Sequence, residues 1–181
     1  MLSSSVREID PSTAPRLTEM MGDEGDLVAL RLARGCRCFL AWLDESIAGY
    51  CWLSTGPEWI GELELRITPN VGEAYIWNCV TVPEHRRKGV FRSLLTGVSA
   101  IARKEGLQRL WIASLAIPAS KAVGPAGFRP ALDVASTVLQ GFVWINVQPA
   151  SGADPELTAA AHRVLATPAG RFLRSSHPRR H

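Results

Sequence analysis

Apolar and polar residues change their spacing several times along this chain, and each change marks an element. Residues 6–10 alternate like a short strand, and a helical region follows. It breaks near Gly22 and resumes around Asp26, Val28, Leu30 and Leu32 until Gly35. From Cys36 the period becomes two. Residues 36–43 and 47–54, joined at Asp44, Glu45 and Ser46, predict a β-hairpin. Within 59–67 the run Glu62, Leu63, Glu64, Leu65, Arg66, Ile67 alternates strictly, as a half-buried antiparallel strand does. Residues 69–72 turn the chain, and 74–82 are so nearly apolar that they predict a central strand covered on both faces. Pro83 ends that strand.

After Gly89 the spacing becomes helical. Phe91, Leu94, Leu95, Val98, Ile101 and Ala102 form one stripe, Arg103 and Lys104 close the last turn, and Gly106 suits the cap. Residues 110–115 predict another buried strand. A strand, a helix and a strand in succession imply a parallel pair joined by a crossover. Beyond Gly127 and Phe128, residues 132–139 and 142–147 predict two more strands, and 155–165 an appended helix.

Composition narrows the class. The chain has 181 residues, 46% of them hydrophobic and 20% charged, which fits folded protein rather than disorder. No apolar run reaches the roughly 18 residues of a membrane span, and the first residues lack a basic-then-apolar leader pattern. A cytoplasmic protein without membrane attachment is expected. A net charge of +3 is too small for a whole-surface nucleic-acid binder. The basic knot His85, Arg86, Arg87, Lys88 is a feature to explain, whereas the basic tail after Arg171 reads as a solvated end. Cys36, Cys38, Cys51 and Cys79 lack zinc-like spacing and read as reduced core residues, so no metal is expected. The six tryptophans read mostly as core, with Trp52 and Trp77 able to wall a pocket.

The chemistry concentrates in residues 80–91. There a central strand stops, a basic glycine-containing loop turns the chain, and an amphipathic helix begins. A helix N-terminus carries unpaired N–H groups and a positive dipole end, which together suit phosphate. Here the chain resembles the GNAT superfamily of acyl-CoA-dependent N-acyltransferases. Arg86, Arg87, Lys88, Gly89, Val90 and Phe91 match its R/Q-x-x-G-x-G/A loop except that Phe91 stands where a small residue is usual. The helix, the strand at 110–115 and Gly127-Phe128 continue the match through about residues 36–147.

The resemblance implies an α/β fold with a mixed central sheet of about six or seven strands, helices on both faces and a C-terminal helical extension. It places the GNAT-like domain at 1–150 and the extension with its basic tail at 151–181. It implies acetyl-CoA as co-substrate. Backbone groups of Val80, Thr81 and Val82 would pair with the pantetheine arm, and Arg87, Lys88, Gly89, Val90, Phe91 and Arg92 would hold the pyrophosphate. The expected activity is transfer of acetyl to a primary amine: a small amine, an amino acid, an antibiotic or a protein terminus. A homodimer is left open.

The family's usual Asn and Tyr near Gly127-Phe128 are missing, since that segment carries Ala116 and Ile117 and no tyrosine. Ser120 is the nearest hydroxyl. Asn78 and Tyr75 are polar residues within an apolar run, and burying them demands partners. Asn78, Tyr75 and Ser120 are therefore the candidate catalytic residues, with Glu73, Glu62 and Glu64 as further carboxylates. A non-catalytic acyl-CoA-binding or sensor protein of the same fold is the alternative.

Overall fold

The computed structural model describes residues 4–114, 121–139, 142–167 and 170–175. They fall into two compact units, Met1–Gly56 with Pro69–Gly127, and Pro57–Thr68 with Phe128–His181.

The first unit is built on a five-stranded sheet in the order β1-β2-β3-β6-β7. Its strands are β1 (Ser4–Glu8), β2 (Arg37–Leu43), β3 (Ser46–Ser54), β6 (Glu73–Thr81) and β7 (Arg109–Ile112). All neighbours are antiparallel except β6 and β7, which are parallel, as the crossover through the intervening helix requires. The sheet is mixed as expected and has five strands among the described residues instead of six or seven, because the strands at Leu132–Leu139, Phe142–Pro149 and Gly170–Ser175 pair among themselves.

Helices cover both faces. Helix α1 (Ala14–Met21), a 3-10 turn at Gly22–Glu24 and helix α2 (Leu27–Ala33) reproduce the predicted break at Gly22. Leu17, Met21 and Val28 pack with Cys38, Leu40, Tyr50 and Trp52. Helix α3 (Val90–Lys104) lies on the opposite face, burying Val90, Leu94, Leu95, Val98 and Ala102. Val90 leads this stripe and Phe91 is only half-buried, because the residue four before Leu94 takes the inward position. Gly97 brings α3 down onto β1: a Cβ there would lie 2.6 Å from Val6 Cβ.

The second unit holds β4 (Glu58–Ile60) paired with β5 (Leu65–Ile67), and an antiparallel sheet of β8 (Leu132–Leu139), β9 (Phe142–Pro149) and β10 (Gly170–Ser175). The single strand read at 59–67 is thus a hairpin, turning through residues 61–64 with Glu64 at φ +50°. Its alternation survives as burial, since Leu63, Leu65 and Ile67 are inside. The segment read as the start of a solvated tail is β10, antiparallel to β9. Helix α4 (Pro155–Leu165) sits where predicted, and the Asp154 side chain accepts from the backbone N–H groups of Glu156 and Leu157 as its cap.

Candidate active site

Strand β6 has two unlike halves. Glu73–Ile76 are buried and pair with β7, and from Tyr75 onward the strand also pairs with β3 on its other side. Pairing with β7 stops at Ile76, opposite Ile112, while β6 continues to Thr81 with β3 alone among the described residues. From Trp77 to Thr81 the strand is only half-buried. The prediction of a covered strand therefore holds for the first half, while the second half is only half-buried and has no partner on its β7 edge among the described residues.

A bulge marks the fork. Tyr50 pairs with Val80 and Trp52 with Trp77, so β6 carries one residue more than β3 across this interval. Asn78 lies inside it at φ +43°, in the left-handed region that Asn tolerates better than most residues. Gly49 on β3 makes the bulge geometrically accessible. A Cβ at Gly49 would lie 2.4 Å from the Val80 carbonyl oxygen.

The expected anion loop follows directly. Val82 N–H donates to the Ala48 carbonyl at 3.0 Å, and Pro83–His85 form a 3-10 turn. Arg86 is extended, and Arg87 at φ +61° and Gly89 at φ +82° reverse the chain into α3. The Ser93 N–H bonds to the Gly89 carbonyl at 2.9 Å, closing the first turn of the helix. Helix geometry leaves the preceding N–H groups without intrahelical acceptors. Arg87, Lys88, Gly89 and Arg92 are exposed, so the cations of the loop face solvent. A Cβ on Gly89 would meet only Arg92 Nη2 at 3.9 Å. Glycine is required there by φ, and free space is not the constraint.

The candidate catalytic residues part company. Asn78 is at the fork, donating Nδ2–H to Glu24 Oε2 at 3.2 Å. Tyr75 is buried in the doubly paired half, in register with Ser54 and Trp111. Ser120 lies outside the described residues. Glu73 accepts from Arg109 Nη1 at 2.6 Å, Trp111 Nε1 at 2.8 Å and Asn70 Nδ2 at 3.1 Å. Burial pushes its carboxyl up, but the Trp111, Asn70 and Arg109 donors prevail and hold it below the usual range. That carboxylate ties β6 to β7 at the far end from the fork. Glu62 and Glu64 belong to the second unit. Tyr50, in register with Val80, has its phenol pushed up to about 12 by burial and is a hydrogen-bond donor at neutral pH.

Arg31 and its partner Glu24 escaped the sequence reading. Arg31 of α2 is 91% buried by its relative exposure of 9%, with its guanidinium carbon 4.7 Å from the Trp77 ring centroid and 5.3 Å from that of Trp52. Its Nη2 bonds Glu24 Oε2 at 2.8 Å. The signal available was helical spacing: Val28 plus three residues is Arg31. The alternation at Val28, Leu30 and Leu32 concealed it. Trp52 and Trp77, expected to wall a pocket, stand together with centroids 6.0 Å apart. Cys36, Cys38 and Cys51 are buried thiols outside any disulfide, and burial pushes the Cys38 thiol up to about 12. Among the described residues no group of His, Cys, Asp and Glu is placed to hold a metal ion. No described helix is long and apolar enough to cross a membrane.

The sequence matches the family model described as Acetyltransferase (GNAT) family over residues 5–122, well over half the chain. No curated protein matches it significantly. Among solved structures, an acetyltransferase of Trypanosoma brucei aligns at TM-score 0.53 and 17% identity, covering 76% of this chain and 100% of the other. The ribosomal-protein-alanine N-acetyltransferase of Brucella melitensis biovar Abortus 2308 aligns at TM-score 0.55 and 15% identity, covering 76% and 99%. AAC(6')-Iy, solved in complex with a CoA-S-monomethyl-acetylneamine bisubstrate analogue, aligns at TM-score 0.56 and 14% identity, with the same coverage. At these identities the structural matches establish the shared fold.

Proposed function

Because the chain belongs to the acetyltransferase (GNAT) family, we propose that it transfers acetyl from acetyl-CoA to a primary amine. One observation carries this reading: β6 parts from β7 at Ile76, runs on to Thr81, and leads straight into the Gly89 turn. The edge of β6 beyond Ile76, which has no strand partner on that side among the described residues, offers backbone groups to an extended amide-bearing arm, so Val80, Thr81 and Val82 bind pantetheine. The loop and first turn from Arg87 to Arg92 bind pyrophosphate through N–H groups, the helix dipole and basic side chains. From Val82 back to Asn78 a strand spans about 13 Å, so an arm anchored at the loop brings its thioester toward the fork.

At the fork the neutral amine attacks the thioester carbonyl. The new C–N bond forms, the C–S bond breaks, and the departing thiolate takes up the proton that the amine nitrogen gives up. A thiol of this kind has a pKa of about 8.5 by analogy with cysteine, so the thiolate leaves readily and needs little general-acid help. Asn78 at the bulge and Tyr75 on the same strand are the polar groups of β6 assigned to this chemistry, with Ser120 assigned from the sequence. The absence of any tyrosine after Tyr75 favours the second reading, a non-catalytic acyl-CoA binder.

Incubation with acetyl-CoA and a panel of primary amines, with free thiol followed over time, separates the two. Amine-dependent thiol release is expected. Calorimetric binding of acetyl-CoA without release for any amine would establish the second reading.

A further inference from the structure

The fork carries a surplus of buried donors. Arg31 Nη1, Trp52 Nε1 and Trp77 Nε1 are all buried and have no hydrogen-bond partner among the described residues. They belong to one cluster, since the guanidinium lies against both indole rings. Arg and Trp side chains carry no lone-pair acceptor, so beyond the guanidinium's contact with the ring faces these groups cannot satisfy one another. A buried donor without an acceptor is destabilising, and three in one cluster call for oxygen atoms that only accept.

Beside them stands a carboxylate with the opposite need. Glu24 spends Oε2 on both Arg31 and Asn78, and Oε1 has no bond among the described residues. Its side chain is 55% exposed. The turn that carries it is acidic, with Asp23 and Asp26 flanking Glu24 and Arg31 the basic residue that packs against it. A simple amine answers Glu24 and leaves the donors unmatched. A simple anion answers the donors and is repelled by Glu24.

Resting on the acetyl-transfer reading above, we propose that the acceptor is an amino-acid-type amine, carrying a carboxylate close to its amino group. The carboxylate takes the N–H groups of Arg31, Trp52 and Trp77, and the ammonium docks against Glu24 Oε1. That places the amino group beside Asn78, at the fork, where the ammonium gives one proton to solvent before the neutral amine attacks. Arg31 is on this account a specificity-determining residue.

The test compares leucine, leucinamide and isoamylamine, and likewise phenylalanine, phenylalaninamide and phenethylamine, as acceptors at saturating acetyl-CoA. The free amino acid should exceed its amide and its decarboxylated amine by about tenfold or more in kcat/KM, chiefly through KM. Arg31→Gln should collapse that ratio to within about threefold, and Arg31→Lys, which keeps the charge without the planar fork, should restore part of it. Circular dichroism establishes that each variant is folded; should both Arg31 variants misfold, Trp77→Phe must lower the ratio instead. Equal rates for the three acceptors, or a preference that survives Arg31→Gln, overturn the proposal. Absence of amine-dependent thiol release with every acceptor overturns the acetyl-transfer reading instead. In that case, quenching of tryptophan fluorescence by free leucine but not isoamylamine still supports the carboxylate site, and equal or absent quenching overturns it.

Discussion

Helices α2 and α3 cover opposite faces of the same sheet, and their sequences relate to their burial in opposite ways. In α3 the apolar stripe is the buried stripe, from Val90 through Leu94 and Val98 to Ala102. In α2, Leu27, Leu30 and Leu32 are 38%, 62% and 37% exposed while Arg31 is inside. A helix whose burial follows its hydrophobicity is held by the core. A helix that turns its arginine inward and its leucines outward is shaped by something besides core packing, and here that is the cluster at the fork.

The sharpest contrast comes from truncating α3. Leu94 is fully buried, and Leu94→Ala should lower stability by about 2–5 kcal/mol through lost transfer energy and the cavity left behind. Urea unfolding with an unchanged slope checks this. A loss below about 1 kcal/mol would mean that α3 is not held by its stripe, and the contrast with α2 would disappear.

Gly49→Ala probes how the sheet supports the fork. The added Cβ would sit 2.4 Å from a backbone oxygen at the bulge, which cannot rotate away as a side-chain tip could. The expected cost is about 1–3 kcal/mol in unfolding experiments, typical of overpacking, with acetyl-CoA affinity falling in the protein that remains folded. If stability falls and affinity does not, the bulge is architecture only and the arm binds elsewhere.

Gly89→Val asks whether the α3 loop works through its backbone. An L-residue in the left-handed region costs about 1–2 kcal/mol, and a β-branched one is worse placed still. The chain escapes by rotating φ, which redirects the N–H groups of the first turn. Acetyl-CoA should bind about tenfold more weakly by calorimetry, with the fold intact. Unchanged affinity would remove the loop from the site.

These positions differ in how far the sequence disclosed them. The Gly89 loop, α3 and β6 were legible because their signals are local: a period of 3.6, an apolar run, a glycine between basic residues. The parting of β6 from β7 was legible only indirectly, through the resemblance that has Val80, Thr81 and Val82 pair with an extended arm, since nothing in residues 74–82 marks where one edge loses its partner. The bulge at Asn78 was invisible for a related reason. It depends on register against β3, and Gly49 lies 29 positions before Asn78 in the chain. The hairpin at 58–67 misled because alternation reports burial, and a turn can preserve burial while ending a strand. Arg31 was missed because charge argued for solvent, and only contact with Trp52 and Trp77 shows otherwise.

Arg31→Met carries the comparison to its smallest effect. It gives α2 an apolar residue of similar length where the arginine lies buried, so core-type reasoning predicts no penalty. The losses are two contacts with indole faces, each worth about 0.5–1 kcal/mol or somewhat more when desolvated, and one ion pair with a half-exposed carboxylate, worth about 1 kcal/mol or less. Against these stands removal of an unpartnered buried N–H group, whose desolvation costs about 1–3 kcal/mol. Glu24 returns to water at little expense because its side chain is already 55% exposed. Methionine also fills irregular apolar space and makes favourable sulfur–aromatic contacts, which suits a position between two tryptophans. The balance lies within about 1 kcal/mol of zero, so urea unfolding should leave the midpoint nearly unchanged. Turnover of amino-acid acceptors should fall by tenfold or more in the same protein, because the guanidinium's share of the donors proposed for the carboxylate is gone. Stability and turnover falling together would show that Arg31 is held in α2 by packing alone, and the two helices would then obey one rule.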